Sequence, residues 1–482
     1  MSHTQSKFAS LSDFGNLKST MKVLLIRPNS IIIATPVPLG LAYIAQYLRE
    51  RRGDEVTILD ARNRRLEPEA VARRAAELKP DVIGIGALSF EQREVHHLAK
   101  LLRQAAPQAK ILLGGPYASA NREAVLTDPN IDVAVVGEGE ETTRELLDAF
   151  EGKPELPGVR GLILREDGAT RFTGMRPALE DLDRLSPAWD LVDPKSYFKR
   201  WGRNSENIVK TSHKTLAVFT SRGCPYGCIF CHNLFGRKFR TRSAENVLEE
   251  ITMLQERYGV KELEIVDDAF NLDLPRAKAI ARGLIERKLG LKIALPNGLR
   301  GDRVDGELLD LFQAAGFYRI AFAVESGSPR IQEIIHKRID LEKVNRAITE
   351  TAKRGMVATG YFILGFPTET EAEMAMTADF AVHSDLHVAS FFYLNPFPGT
   401  EVARSSGRDL TDTTFLDYFS ISVNLSAVPD ATLHRMCKQA YRRFYLDPRR
   451  IARILQVVPK NFRTAINAFL TLRLLFQDAV NQ

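Results

Sequence analysis

Two series of short, almost wholly apolar runs, each followed by a helical stretch, constrain this chain more than any other feature. In the first series the runs are 22–27, 55–60, 82–86, 110–115 and 132–137, with amphipathic stretches such as 39–52 and 69–78 between them. Near-continuous apolar strands alternate with helices when a parallel sheet is covered on both faces. Residues 21–150 are therefore expected to form an α/β domain around a doubly wound parallel sheet. Ligands of such sheets bind at the carboxyl ends of the strands. Those ends carry Pro28 and Asn29, then Ser89, then Gly114, Gly115 and Pro116, then Gly137, Glu138, Gly139 and Glu140. Glycine there lets backbone approach a ligand, and it also simply ends strands; both readings stand.

The second series repeats a strand-then-helix unit over residues 211–400, with strands at 216–220, 262–267, 292–296, 319–325, 358–364 and 388–394. Repeated units of this kind suggest a partial (β/α)6 barrel, whose chemistry sits at the strand C-termini. Read in order, those ends are Cys224 to Cys231, Asp267 and Asp268, Asn297, the run Glu325, Ser326 and Gly327, then Gly365, Phe366 and Pro367, then residues 395–399. Residues 151–210 read as a connector. It holds a hairpin over 158–174, centred on Asp167 and Gly168, and a segment, 182–193, expected to wrap between the domains. Residues 401–482 read as a helical C-terminal region, and 1–20 as a disordered or loosely attached start.

Three of the four cysteines, Cys224, Cys228 and Cys231, stand in a C-x3-C-x2-C pattern directly after the first strand of the second series. Three thiolates on one loop hold three irons of a [4Fe–4S] cluster, whereas full ligation takes four. The fourth iron is left open to bind something. A zinc site completed by His232 needs awkward geometry, because His232 adjoins Cys231. A disulfide framework does not suit a long chain with so few cysteines. The fourth cysteine, Cys437, lies in a helical stretch, 432–444, and reads as a small buried hydrophobe.

The loop, including Phe230 before its last cysteine, resembles that of the radical S-adenosylmethionine (SAM) enzymes. The resemblance implies that SAM chelates the open iron. An electron, from a donor such as flavodoxin or ferredoxin, then cleaves SAM to a 5′-deoxyadenosyl radical. It also implies roles for the other strand ends. Asp268, next to Asp267, stands where the SAM ammonium is bound, or else caps the helix near Leu274. Glu325 and Ser326 match the family's Glu-Ser-Gly run and receive SAM polar atoms, or else form a strand-ending turn. Asn297 and Arg300 occupy the third strand's exit. Arg300 and Lys337 meet the SAM carboxylate or form surface ion pairs. Ile363 suits an adenine face or the core, and Gly365 opens the fifth exit. Where the family typically has glycine, this chain has Thr368. Arg222 either lowers the thiol pKa by its charge or is a solvated loop residue.

The order of domains resembles the cobalamin-binding branch of that superfamily, which includes anaerobic magnesium-protoporphyrin ester cyclase and many carbon and phosphorus methylases. The supporting segments are 37–42, 114–116 and 136–140. Many cobalamin domains carry an Asp-x-His-x-x-Gly motif. Here Arg27, Pro28, Asn29 and Ser30 stand in its place, and no histidine lies between His3 and His96. This implies cobalamin bound without a histidine lower ligand, through Gly114, Gly115, Gly137, Glu138 and Gly139, or a front domain that binds none. The absence of cysteine from the front domain argues against methylthiotransferases. The resemblance implies a cobalamin-dependent radical SAM methylase acting on carbon or phosphorus of a small molecule or lipid. The alternatives are cyclisation or oxidation of the ester cyclase type, a cobalamin-free radical SAM reaction, and a cluster-bearing sensor. Catalytic residues beyond the cluster and SAM site are not legible.

Charge adds little: 66 Lys and Arg against 60 Asp and Glu give a net +6 over 482 residues. Without a basic stripe interleaved with aromatics, nucleic acid is not an expected partner. No apolar run approaches the ~20 residues of a spanning helix, and the polar first twenty residues do not read as a secretory signal. Sparse cysteine and a thiolate cluster suit a reducing cytoplasm. The tail, 449–476, mixes basic with apolar residues. It suits peripheral contact with the inner membrane face, or packing on its own barrel.

Overall fold

The computed structural model describes residues 20–30, 36–152, 155–166, 168–198, 209–232, 234–408 and 419–460. The first series of runs becomes strands β1 (Lys22–Arg27), β2 (Glu55–Asp60), β3 (Val82–Gly86), β4 (Lys110–Gly114) and β5 (Val133–Val135). They pair in parallel in the order β2-β1-β3-β4-β5. Alternate residues feed two cores. Leu24, Ile26, Ile83, Ile85, Ile111 and Leu113 pack on one face, and Val23, Leu25, Val82 and Leu112 on the other. That two-sided burial is why the runs lack polar alternation.

The hairpin expected over 158–174 forms as β6 (Leu162–Glu166) and β7 (Ala169–Phe172); Asp167 lies outside the described residues. The hairpin does not bridge a gap. β6 pairs antiparallel with β5, Ala134 opposite Ile163, and the front sheet becomes seven-stranded. The rest of the connector does lie between the two halves. Ala188 N donates to Ala42 O at 3.0 Å. Trp189 Nε1 donates to Glu250 Oε1 at 2.8 Å. Leu182, Leu185 and Trp189 join one apolar core that runs from the front sheet into the second.

The second series forms β8 (Thr215–Val218), a two-residue antiparallel ribbon of β9 (Ser221–Arg222) and β10 (Arg240–Thr241), then β11 (Glu262–Ile265), β12 (Lys292–Leu299), β13 (Phe317–Glu325), β14 (Val357–Leu364) and β15 (Val388–Tyr393). β8 and β11 to β15 pair in parallel in chain order, as a partial barrel requires. The crossover helices begin at side-chain caps, Ser243, Asp273, Asp305, Asp340 and Thr370, which satisfy amides that the helix leaves unpaired.

The open edge of the barrel is closed by the C-terminal helix Asp430–Tyr445. Tyr441 Oη accepts from Phe391 N and donates to Phe391 O, both at 3.0 Å. Tyr445 Oη serves Ala389 N and O at 3.2 and 2.9 Å. Four helical residues rise about 6 Å and two strand residues about 6.7 Å, so the two hydroxyls meet successive outward-facing peptides. Cys437 is buried on the same helix, as expected, with Sγ against Phe391 O. Among the described residues no helix is long and apolar enough to cross a membrane. The expected loose start and most of the tail, 461–482, lie outside the described residues.

Candidate cofactor site between the two sheets

The cysteine loop is stemmed by the β9–β10 ribbon and closed by backbone bonds from Cys224 N to Gly236 O and from Cys231 N to Cys228 O, both 3.2 Å. Gly223 enters it at φ +84°, where a Cβ would stand 2.3 Å from Lys238 O, so only glycine fits. A small apolar cluster anchors the loop to the barrel: Ile229, Ile331, Ile335, Phe366, Leu394 and Val402. Phe230 joins it, its ring 5.4 Å from that of Phe366. The aromatic before the last cysteine thus ties the loop to the exit of β14.

Cys224 and Cys228 are half-buried, while Cys231 lies at the open face of the loop. Desolvation raises all three thiols; Cys231, although its residue reaches the surface, has its Sγ packed among the other loop atoms and is pushed up to about 12 by that desolvation and then by Cys228 and Cys224. Lys337 and Arg300 act in the opposite direction on Cys224 and Cys228. Thiols raised by desolvation and, at Cys228 and Cys231, by neighbouring sulfurs fit a multi-iron cation, which converts each to a thiolate. Among the described residues no three His, Cys, Asp or Glu side chains converge as on a single ion. The His232 ring lies 4.8 Å from that of Phe397, tilted by 54°, instead of completing a zinc site.

The two neighbouring aspartates at the β11 exit have different jobs. Asp267 is buried and accepts from Thr220 N at 2.6 Å, Ser221 Oγ at 2.6 Å and Thr220 Oγ1, so it braces the start of the cysteine loop. Asp268 faces the thiols. The residue reaches solvent, but desolvation of its carboxyl and the charge of Asp267 push it up to about 6, against the pull of the Gly223 amide. It caps no helix: Asp273 accepts from Arg276 N at the start of Leu274–Arg287.

At the β13 exit, Glu325 sits at φ +67°, a strained conformation for a residue with a Cβ. Its Oε1 pairs with Lys337 Nζ at 2.7 Å in a buried bridge beside the thiols, so Lys337 is not a surface residue. Arg300 pairs with Asp302 at 2.8 Å and lies 4.0 Å over the Tyr226 ring. Ser326 turns inward, with Oγ 3.2 Å from Thr377 Oγ1 and accepting from Ser328 N. Gly327 is packed so closely that a Cβ would stand 2.6 Å from Met376 O. Asn297 is exposed and donates to Val266 O at 2.7 Å.

Ile363 is half-buried against the same apolar cluster as Phe230. Gly365 takes φ +98° and Thr368 φ +60°, so the departure from glycine at Thr368 puts a β-branched residue in the left-handed region. Glu369, given no role by the sequence, is fully buried. Its Oε2 accepts from Gly365 N at 2.7 Å and Phe366 N at 3.1 Å, and so fixes this exit loop. A carboxylate in a Pro-Thr-Glu-Thr turn reads as solvated from sequence, and only the turn's apolar flank hints otherwise.

In the front sheet the exits of β3, β4 and β5 meet at glycines. Gly115 has φ +87°, with a Cβ only 2.8 Å from Ala87 O, and Gly137 has φ +80° with its amide on Ser119 Oγ at 3.0 Å. Gly114 leaves ordinary space. Gly139 packs close to Ile44, whose Cδ1 would lie 2.7 Å from a Cβ there and would have to shift. The exits of β1 and β2 hold a buried network of Arg27, Asp60 and Tyr197, with Arg27 also reaching Pro36 O. No histidine is there; His96 is held by Asp128 and Tyr117. A glycine-lined edge with no histidine fits a cofactor that would be approached by backbone and would take no histidine ligand from this edge.

Glu138 does not project freely. It pairs with Arg222 at 2.8 Å and Arg240 at 2.5 Å, while Glu140 pairs with Arg222 at 2.6 Å. Arg222 is therefore neither solvated nor directed at the thiols. The glutamates of the front edge grip the stem of the cysteine loop.

Known proteins agree with this arrangement. Residues 34–147 match the family described as B12 binding domain, and 218–381 the radical SAM superfamily. An uncharacterized methyltransferase of Pyrococcus horikoshii is 33% identical over 89% of this chain and 93% of its own length. Cytidylyl-2-hydroxyethylphosphonate methyltransferase of Streptomyces wedmorensis is 31% identical over 80% of this chain and 82% of its own. The fold matches the structure of TsrM from Kitasatospora setae, a radical SAM methyltransferase with cobalamin and [4Fe–4S] cluster bound, at a TM-score of 0.67 and 22% identity over 80% of this chain and 78% of that one. The chain belongs to the cobalamin-dependent radical SAM methyltransferase family.

Proposed function

We propose that this chain methylates an unactivated carbon, or a phosphorus, of a small molecule or lipid, using a [4Fe–4S] cluster, SAM and cobalamin without a histidine beneath the cobalt. When bound, the cluster with SAM supplies hydrogen abstraction and the cobalamin supplies the methyl group. In this reading Cys224, Cys228 and Cys231 hold the cluster and Asp268 accepts the SAM ammonium. Glu325, fixed by Lys337, and Asn297 meet the sugar and polar atoms. Gly365, its amide held by Glu369, shapes the exit of β14 beside the SAM site, and Ile363 packs the adenine. Gly114, Gly115 and Gly137 admit the corrin rim. Ser326 and Gly139 shape these edges from inside.

One observation carries the reading: Arg222, two positions before Cys224, is bound to Glu138 and Glu140 at the exit of β5. The ligand edges of the two sheets therefore meet at the cysteine loop. The open position of Cys231 supports approach by an electron donor of the flavodoxin or ferredoxin class. Three thiols that must stay reduced support a cytoplasmic location. Exposed Leu446, Ile451 and Leu455 support a peripheral membrane contact.

The test is anaerobic reconstitution of the full chain with iron, sulfide and hydroxocobalamin. The expected loading is ~4 irons and ~1 cobalt per chain, with Cys228→Ala losing the iron and keeping the cobalt. Reductant and SAM then yield 5′-deoxyadenosine from the parent only. A parent that takes up no iron sinks the reading, and one that takes iron without cobalt reduces it to a cobalamin-free radical reaction.

A further inference from the structure

We infer that Glu138, Glu140, Arg222 and Arg240 form a clamp that fixes the cysteine loop to the exit of β5 and so sets the spacing of the two cofactor edges. The inference rests on the two-cofactor reading above and concerns residues that touch neither cofactor in that reading. They are positioning residues.

The geometry is closed and specific. Arg222 and Arg240 face each other across the β9–β10 ribbon, so together they are the two sides of the loop's stem. Every cysteine ligand lies between them in the chain. Glu138 and Glu140 flank Gly139 at the start of the front helix Gly139–Phe150. Arg222 bonds Glu138 at 2.8 Å and Glu140 at 2.6 Å. Arg240 bonds Glu138 at 3.1 and 2.5 Å, Leu179 O at 2.7 Å and Phe235 O at 3.0 Å. Two positive charges thus meet two negative ones, in a site where Arg222 and Arg240 are 5% and 4% exposed.

Packing holds the same orientation. The Arg222 guanidinium lies 5.0 Å from the Tyr43 ring, on the front helix Leu39–Arg52, and 5.2 Å from the Phe235 ring, in the cysteine loop. Gly139 lets the front helices approach closely, with Ile44 Cδ1 only 2.7 Å from where a Cβ would stand, so the two glutamates start from a packed helix end. Apolar contact alone would join the halves and leave them free to slide. Charged, bidentate bonds are directional, and removing one partner strands a buried charge. The clamp grips the loop's stem rather than the barrel wall, so any shift of the β5 exit moves the cysteines with it.

The test pairs Arg222→Gln with Glu140→Gln, which removes one charge of each sign and leaves Glu138 with Arg240. Hydrogen exchange is first measured on the full chain without cofactors. The double variant is expected to lose protection at least tenfold both at 136–141 and at 239–242, with β3 and β13 unchanged. The loaded proteins are then compared by the magnetic interaction between reduced cluster and cob(II)alamin. With iron and cobalt contents equal to the parent's, the double variant should show a spin–spin splitting at least twice as broad. Parental protection at either segment overturns the inference. So does a parental splitting in the loaded variant, or loss of iron from the double variant, which would make the pair part of the cluster's own support. A parent that binds no cobalt defeats the preceding reading, and the exchange arm still decides this one.

Discussion

Glu369 offers the sharpest test of how the β14 exit is held. The residue is 0% exposed, and its Oε2 accepts from the amides of Gly365 and Phe366. Glu369→Ala leaves both buried amides unpaired. At about 1–3 kcal/mol each, the middle of the range is about 4 kcal/mol, or about a thousandfold in the local opening equilibrium. Glu369→Gln keeps an oxygen for both amides and should stay within about tenfold of the parent.

The same site carries a pH signature. Burial pushes the Glu369 carboxyl from 4.5 up to about 8. A carboxyl with a raised native pKa favours the folded form when protonated. Its contribution is therefore full below the unfolded value and lost as pH rises through the folded one. Between about pH 6 and about pH 8 the parent should lose about 2 kcal/mol, whereas Glu369→Gln stays flat. The assay is hydrogen exchange of a peptide spanning 363–371, corrected for the intrinsic pH dependence of exchange. Parental protection in Glu369→Ala, or a parent as flat with pH as the glutamine variant, would refute the reasoning.

The edge-closing tyrosines should act independently. Tyr441→Phe orphans the amide of Phe391, leaving Cys437 Sγ on its carbonyl, and should speed exchange of that amide about tenfold or more while leaving Ala389 protected, and Tyr445→Phe should do the reverse. Equal effects at both amides would mean that the helix acts through general packing. For the tail, the full chain should co-sediment with vesicles rich in anionic phospholipid, and Ile451→Ser with Leu455→Ser should weaken this several-fold. A full chain that stays in the supernatant removes the membrane contact.

Most of the fold was legible because strand runs with two buried faces leave a signal that survives without context. The differences have local causes. β12 and β13 exceed their expected lengths, with register shifts where they pair near Leu295 and Leu299. β5 is shorter than expected, ending at Val135, although Val136 N still bonds Gly161 O one step further along the register it shares with β6. The cysteines were legible because their spacing is itself the chemistry. Asp267 and Asp268 were not separable in sequence, since only the fold turns one toward Thr220 and the other toward the thiols. Nor was the partner of Arg222 legible: Glu140 lies 82 positions away, and a glutamate after a strand looks the same whether it meets solvent, a ligand or a buried arginine.

The hairpin of β6 and β7 determines where this protein can be divided. The segment that matches the B12 binding family ends at residue 147, yet β5 is only three residues long and takes one of its two neighbours from Leu162 and Ile163. A piece ending at 147 or 150 would expose that edge and strip Val159, Leu162 and Leu164 from the apolar core beneath it. A front half moved between relatives has to be carried at least through residue 174, and its glutamates still need the arginines of the cysteine-loop stem. Swaps of corrin-binding halves between relatives therefore belong after the hairpin, although it is encoded beyond the segment that family resemblance marks out.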